Sequence, residues 1–143
     1  MFRHVVAPTL CPQSLAFAGF NHGFLHIPSA YLGALWTGGL WRGDFELPAV
    51  DAMQACVDRV RAWKREHILF EPSRSCAINT RFQQYNDMIC MELGLQPHRK
   101  LPNAVAEALS SYGAADYRGI VDEYLEVCRC GGPPTIAWDR FTT

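Results

Sequence analysis

The sequence predicts an α+β chain that is mostly α, with short N-terminal β-strands followed by four or five helices. Three observations carry this expectation. Two short extended runs lie near the N-terminus, helix-length segments with apolar residues three and four apart follow, and Gly- and Pro-rich turns punctuate them. The first run is residues 2–6, and a Pro-bounded connection, 8–12, leads to the second, residues 14–19. That second run, Ser-Leu-Ala-Phe-Ala-Gly, is apolar on both faces, as in a strand buried mid-sheet. Two strands alone are marginal, so the expectation is that they complete a sheet whose other strands come from elsewhere.

A helix is expected from near Pro28 and Ser29. The clearest helix opens at Glu46-Leu47-Pro48, with Pro48 tolerated in the first turn and Asp51 near the positive end. Arg59, Arg61, Lys64, Arg65 and His67 lie toward its other end, and Met53, Cys56, Val57, Val60 and Trp63 mark its core face. Thr80 followed by Gln83 fits a capping box for the next helix, which carries Phe82, Tyr85, Ile89 and Leu93 before Gly94 ends it. Residues 103–109 form a shorter candidate. The last helix is expected from about Asp116, with Tyr117, Ile120, Val121, Tyr124, Leu125 and Cys128 on one face, and it stops at Gly131-Gly132-Pro133-Pro134. Residues 1–130 therefore read as one domain and 131–143 as an irregular tail.

Composition narrows the function classes. The 143 residues carry 13 Lys and Arg against 14 Asp and Glu, for a net charge of -1, and no block of like charge. That removes the footprint of a nucleic-acid or anionic-membrane binder. No apolar stretch approaches the roughly 20 residues of a membrane span. The N-terminus has no secretory pattern, so a cytoplasmic location is expected. The six cysteines have no regular spacing. Cys128 and Cys130 lack the second ligand pair that structural zinc needs, so no metal is expected and the thiols read as reduced.

Few residues carry chemistry. The second run turns through Gly19, Phe20, Asn21, His22 and Gly23 toward a helix, the usual ligand position in an open α/β sheet because backbone amides there point outward. Gly19, Asn21 and His22 are the candidate binding residues. Equally, the glycines can serve only the turn dihedrals while Asn21 satisfies its own backbone. His22 and His26 do not share a helix face. The aromatic set Trp36, Trp41, Phe45 and Trp63 reads as core by default. Ser73, Ser75 and Cys76 have no nucleophile elbow around them, and no catalytic residue is assigned. The eleven glycines contain no G-x-G-x-x-G and no Walker lysine, so the chain has no phosphate-cradling loop.

The runs HVVAPTLCPQSLAFAGFNH, LGALWTGGLWRGDFELPAVDAM, YNDMICMELGLQP and YGAADYRGIVDEY, in this order, resemble the C-terminal part of the FAD- and NADPH-dependent flavin-containing monooxygenases, the dimethylaniline-monooxygenase-like family. The resemblance reaches to about Tyr124. It implies that the N-terminal strands complete the sheet of an α/β FAD-binding domain, with the later helices covering the substrate side. It also implies that Gly19, Asn21 and His22 lie against the pyrimidine side of the flavin. The complete enzyme would use FAD, NADPH and oxygen to oxygenate a small organic substrate. Both dinucleotide-binding glycine loops of that family are missing here. The chain is therefore expected to bind neither cofactor alone, to be inactive alone, and to need the missing FAD- and NADPH-binding domains in cis or in trans. The alternative is a non-catalytic helical interaction module or the folded remnant of a truncated gene.

Overall fold

The computed structural model describes residues 1–21, 23, 26–68, 78, 81–134 and 136. Among them are five α-helices: α1 (His26–Arg42), α2 (Val50–His67), α3 (Phe82–Glu92), α4 (Ala104–Leu109) and α5 (Ile120–Arg129), with a 3₁₀ turn, Ala114–Tyr117, before α5.

Helix α1 carries no charged residue before Arg42, and Pro28 sits in its first turn, where the missing N–H leaves nothing unpaired. Its inner side buries Leu32 and Trp36 against Ile89, Cys90 and Leu93 of α3 in one apolar core. Ser29 Oγ donates to Asn86 Oδ1 at 2.7 Å. About two turns on, Trp36 Nε1 donates to Glu92 Oε2 at 2.8 Å, so α1 and α3 run in the same sense. Helix α2 contributes Met53, Cys56 and Val57 to the core. Its Asp51 lies in the first turn and Lys64, Arg65 and His67 in the last, matching the helix dipole at both ends. Asn103 caps α4 by accepting the Ala106 N–H at 3.0 Å.

The expected β-strands are absent among the described residues. Residues 2–6 instead curl on themselves: Phe2 N donates to Val6 O at 2.7 Å and Val5 N to Phe2 O at 3.0 Å. The central residues Arg3 and His4 both lie at positive φ, 51° and 56°, as in a type I′ turn. Only isolated bridges form, Phe2 to Val6 and Val6 to Ala16. Among the described residues the expected α+β class is therefore corrected to all-α. An apolar run marks residues that avoid water, but a tight turn with positive φ at its centre satisfies that as well as a strand does. With no sheet to enter, residues 15, 17 and 20 place Leu, Phe and Phe at the surface.

Smaller departures have local causes. The last helix does not run unbroken from Asp116, because Gly119 at φ 78° separates the 3₁₀ turn from α5. Trp63 is half-buried rather than core: the Arg81 guanidinium lies 4.1 Å from its ring centroid and His67 stacks on it at 4.6 Å. Lys64, expected toward the C-terminal end of α2, is there and is buried. The Thr80 cap, the 73–76 stretch and most of the tail lie outside the described residues.

Candidate functional site

The two describable candidate residues, Gly19 and Asn21, do not converge. Gly19 is exposed in a turn at φ 73°, the left-handed region that favours glycine, beside Ala30 of α1. Asn21 is buried and turned inward. Its side chain lies near the Tyr85 hydroxyl, whose ionised form it favours, and that hydroxyl donates to the Arg3 carbonyl at 3.0 Å. Among the described residues Asn21 Oδ1 has no partner. His22 lies outside the described residues.

Asn21 stands at the rim of a buried polar network that composition and spacing do not reveal. Arg3 Nη2 lies 2.7 Å from Glu92 Oε1, with the two side chains 3% and 0% exposed. Burial pushes the Glu92 carboxyl up, and the Arg3 charge and the Trp36 N–H pull it back. Burial also raises the Tyr85 phenol, and the nearby Glu92 adds to this, while the Asn21 amide opposes it. Lys64 Nζ lies 3.2 Å from His4 Nε2. Burial first, and then Lys64, hold His4 down at about 3, so it accepts from the ammonium as a neutral ring. Asn86 Nδ2 donates to Tyr117 Oη at 3.1 Å and ties the 3₁₀ turn to α3.

This network holds the N-terminal turn in place. Its acids and bases are locked in bonds that pin the left-handed Arg3–His4 turn onto α2 and α3. Burial raises the Cys90 thiol to about 12, which removes it as a nucleophile. Among the described residues no three His, Cys, Asp or Glu side chains gather as metal ligands. No helix of the described residues is long and apolar enough to cross a membrane. An open cleft of about 840 Å³ lies apart from Asn21, with Gln13 and Ser14 on one side and Trp41 and Arg42 on the other.

A flavin presents an N–H donor and carbonyl acceptors on its pyrimidine edge. The partnerless acceptor at Asn21 matches that N–H in kind, but it is buried and turned inward, so a ring edge would reach it only after the Gly19 turn moves. The sequence contains no G-x-G-x-x-G loop of the kind that cradles a dinucleotide's pyrophosphate. The residues present thus fit one edge of the group and not its whole length.

No family model matches the sequence, and no solved structure matches it significantly. Curated proteins do. The FAD-dependent monooxygenase DEP4 of Alternaria brassicicola is 30% identical over 131 residues, 90% of this chain and 22% of that protein. The FAD-dependent monooxygenase resA of Aspergillus sclerotiorum is 32% identical over 114 residues, 79% of this chain and 19% of its own length. The probable flavin-containing monooxygenase 1 of Arabidopsis thaliana is 29% identical over 118 residues, 82% of this chain and 21% of the plant protein. The chain thus spans about a fifth of the length of these relatives, and over most of its own length it matches a fragment of the FAD-dependent, flavin-containing monooxygenase family.

Proposed function

We propose that this chain is the C-terminal portion of an NADPH- and oxygen-dependent flavin monooxygenase of a small organic substrate, that it is catalytically silent alone, and that it acts by completing FAD- and NADPH-binding domains supplied in cis or in trans. The observation that carries the reading is the match over 90% of this chain to only 22% of an FAD-dependent relative. The flavin, when bound, supplies the redox chemistry. This chain's residues orient it: the Asn21 carbonyl oxygen accepts a hydrogen bond from the ring edge, and the Arg3–Glu92–Trp36 network holds the backbone around Asn21 in place through Tyr85. Gly19 keeps the turn free of a side chain where the ring approaches. His22, next in sequence, belongs to the same proposed contact. The proposed setting is cytoplasmic.

The test has two stages. Titrating the chain with FAD or NADPH and following fluorescence should give no saturable binding at micromolar concentration, because no glycine loop supports the pyrophosphate. Fusing the FAD- and NADPH-binding part of a relative before Phe2 should give a flavin-loaded protein that consumes NADPH. In that fusion Asn21→Ala should change flavin reduction roughly twofold to tenfold per loaded molecule, as expected for one hydrogen bond between neutral groups. Stoichiometric FAD binding by the chain alone, or a fusion that never loads flavin, would overturn the reading.

A further inference from the structure

Helix α1 is apolar on the side that faces solvent as well as on the side that faces the core. Ile27, Tyr31, Ala34, Gly38 and Trp41 recur at alternating steps of four and three. At about 100° per residue they stay within about 40° of one line along the helix. Ile27 is 70% exposed and Trp41 59%. No Asp, Glu, Lys or Arg falls within residues 27–41. A helix apolar all round belongs in the interior of a larger body, since the solvated face of a surface helix is normally charged.

The stripe does not end at the helix. Gly19 lies beside Ala30, and Gln13 and Ser14 line the same cleft as Trp41 and Arg42, so residues 13–19 run antiparallel along α1. They carry the exposed Leu15 and Phe17, and the exposed Phe20 follows with its ring 6.2 Å from that of Phe17. The buried Asn21 comes next in sequence, with its partnerless Oδ1. The result is one continuous apolar surface that ends beside a buried acceptor without a partner, unlike the scattered exposed residues normal for a finished surface.

We infer that this surface, the outer stripe of α1 with Leu15, Phe17 and Phe20, is the docking face for the FAD-binding portion of a flavin monooxygenase chain; the inference rests on the functional reading above. Two features select that occupant over a second copy of this chain. The relatives are about five times longer than their matched segment, so the remainder offers ample surface to cover it. The same occupant would carry the flavin whose donor Asn21 lacks, whereas a second copy would bring another α1 and no donor. Ala34 and Gly38, small and central in the stripe, let the covering segment approach α1 closely.

The test compares the chain alone with the chain fused to the FAD- and NADPH-binding part of a relative. Hydroxyl-radical footprinting should label Tyr31 and Trp41 strongly in the chain alone and at least fivefold less in the flavin-loaded fusion, with His67 of α2 labelled equally in both. Ala34→Glu should leave the melting temperature of the chain alone unchanged, because its side chain is exposed there, and should lower flavin retention in the fusion at least tenfold. Equal labelling of Tyr31 and Trp41 in a flavin-loaded fusion would overturn the docking face while leaving the functional reading intact. So would a dimer of the chain alone that already protects both residues and that Ala34→Glu dissolves. A soluble fusion with the parent stripe that loads no flavin would defeat the functional reading and the docking face together.

Discussion

The segment 96–129 and the outer side of residues 10–41 meet solvent in opposite ways. The C-terminal segment closes its own hydrogen bonds. Arg99 grips both carboxylate oxygens of Glu123 at 2.7 Å and also donates to the Asp116 carbonyl at 3.2 Å. Lys100 Nζ donates to the Ser110 and Ser111 carbonyls at 3.2 and 2.6 Å. Tyr112 donates to Glu107, and Asp116 accepts from Gly113 N. Among the described residues of 10–41 the exposed large apolar side chains are Leu10, Leu15, Phe17, Phe20, Ile27, Tyr31 and Trp41. The C-terminal segment exposes Leu101, Val105 and Leu109 as well, but these are confined to one short stretch of a surface otherwise finished by its own hydrogen bonds, whereas those of 10–41 continue along a whole helix and the segment before it. Stability alone does not explain the exposure along 10–41, because exposed aromatics contribute nothing to folding until something covers them.

The largest expected effect tests what anchors the unfinished side to the finished core. Glu92→Ala removes the carboxylate that meets both Arg3 and Trp36 and takes its charge away from a buried guanidinium. It should cost about 3 to 5 kcal/mol in urea unfolding. Replacing the pair together, Arg3→Met with Glu92→Leu, should recover much of that loss but not all, since the Trp36 indole N–H stays without an acceptor. A loss under about 1 kcal/mol for Glu92→Ala would show that the N-terminal turn is held by its apolar neighbours alone.

Next in size is the seam where the two regions touch. A β-carbon at Gly39 of α1 would overlap the Tyr124 hydroxyl of α5, which donates to Asp44 at 2.7 Å. Gly39→Ala should therefore cost about 1 to 3 kcal/mol through overpacking. In Tyr124→Phe the overlapping atom is gone, so the two substitutions together should cost less than the sum of their separate effects. Additive costs in a double-mutant cycle would place the strain elsewhere.

How much of this was legible beforehand follows the same division. Helices α2 and α3 and the Asn103-capped α4 were readable because apolar spacing and end signals are local. The family match was readable from the order of short motifs. Arg3 and Lys64 were not: each is buried because a partner distant in sequence, Glu92 and His4 respectively, comes to meet it. Asn21 was singled out for its place at the end of an apolar run, yet its burial beside Tyr85 depends on tertiary packing that no local pattern encodes. The failed strands show the converse limit. Their apolar pattern predicted extended strands that would complete a sheet supplied from elsewhere, whereas residues 2–6 close into a turn through their own backbone bonds, which an apolar run does not distinguish from a strand.

A smaller effect separates the buried network from the surface by pH. His4 titrates near 6.5 when unfolded and is held at about 3 in the fold. Between these values the unfolded chain binds the extra proton, so stability is complete above pH 6.5 and falls as pH drops through that window. The slope should approach about 1.4 kcal/mol per pH unit, shared with any carboxylates that titrate in the same range. In His4→Gln the decline between pH 6.5 and 5 should flatten. If parent and variant keep the same slope there, His4 is accessible to protons in the fold and the Lys64 contact does not exclude them.

The smallest expected effect lies on the finished side, and its smallness is what the comparison demands. The Arg99 side chain is only 7% exposed, but its partner Glu123 is 44% exposed. The Arg99 hydrogen bonds lower the Glu123 carboxyl, so the pair stabilises above the ordinary glutamate pKa and fades as pH falls below it. Solvent screens a pair this open, and Arg99 keeps its bonds to the Asp116 and Gln96 carbonyls when the acid is removed. Glu123→Gln should therefore cost no more than about 1 kcal/mol, and raising the salt to about 1 M should erase most of the difference. Arg99→Ala should cost more than Glu123→Gln, because it also strips those two carbonyls and the packing of the side-chain stem. Equal costs would mean that the ion pair itself, rather than the redundant mesh around it, closes this surface. In that case the C-terminal segment would be as dependent on a single buried contact as the Arg3–Glu92 side is.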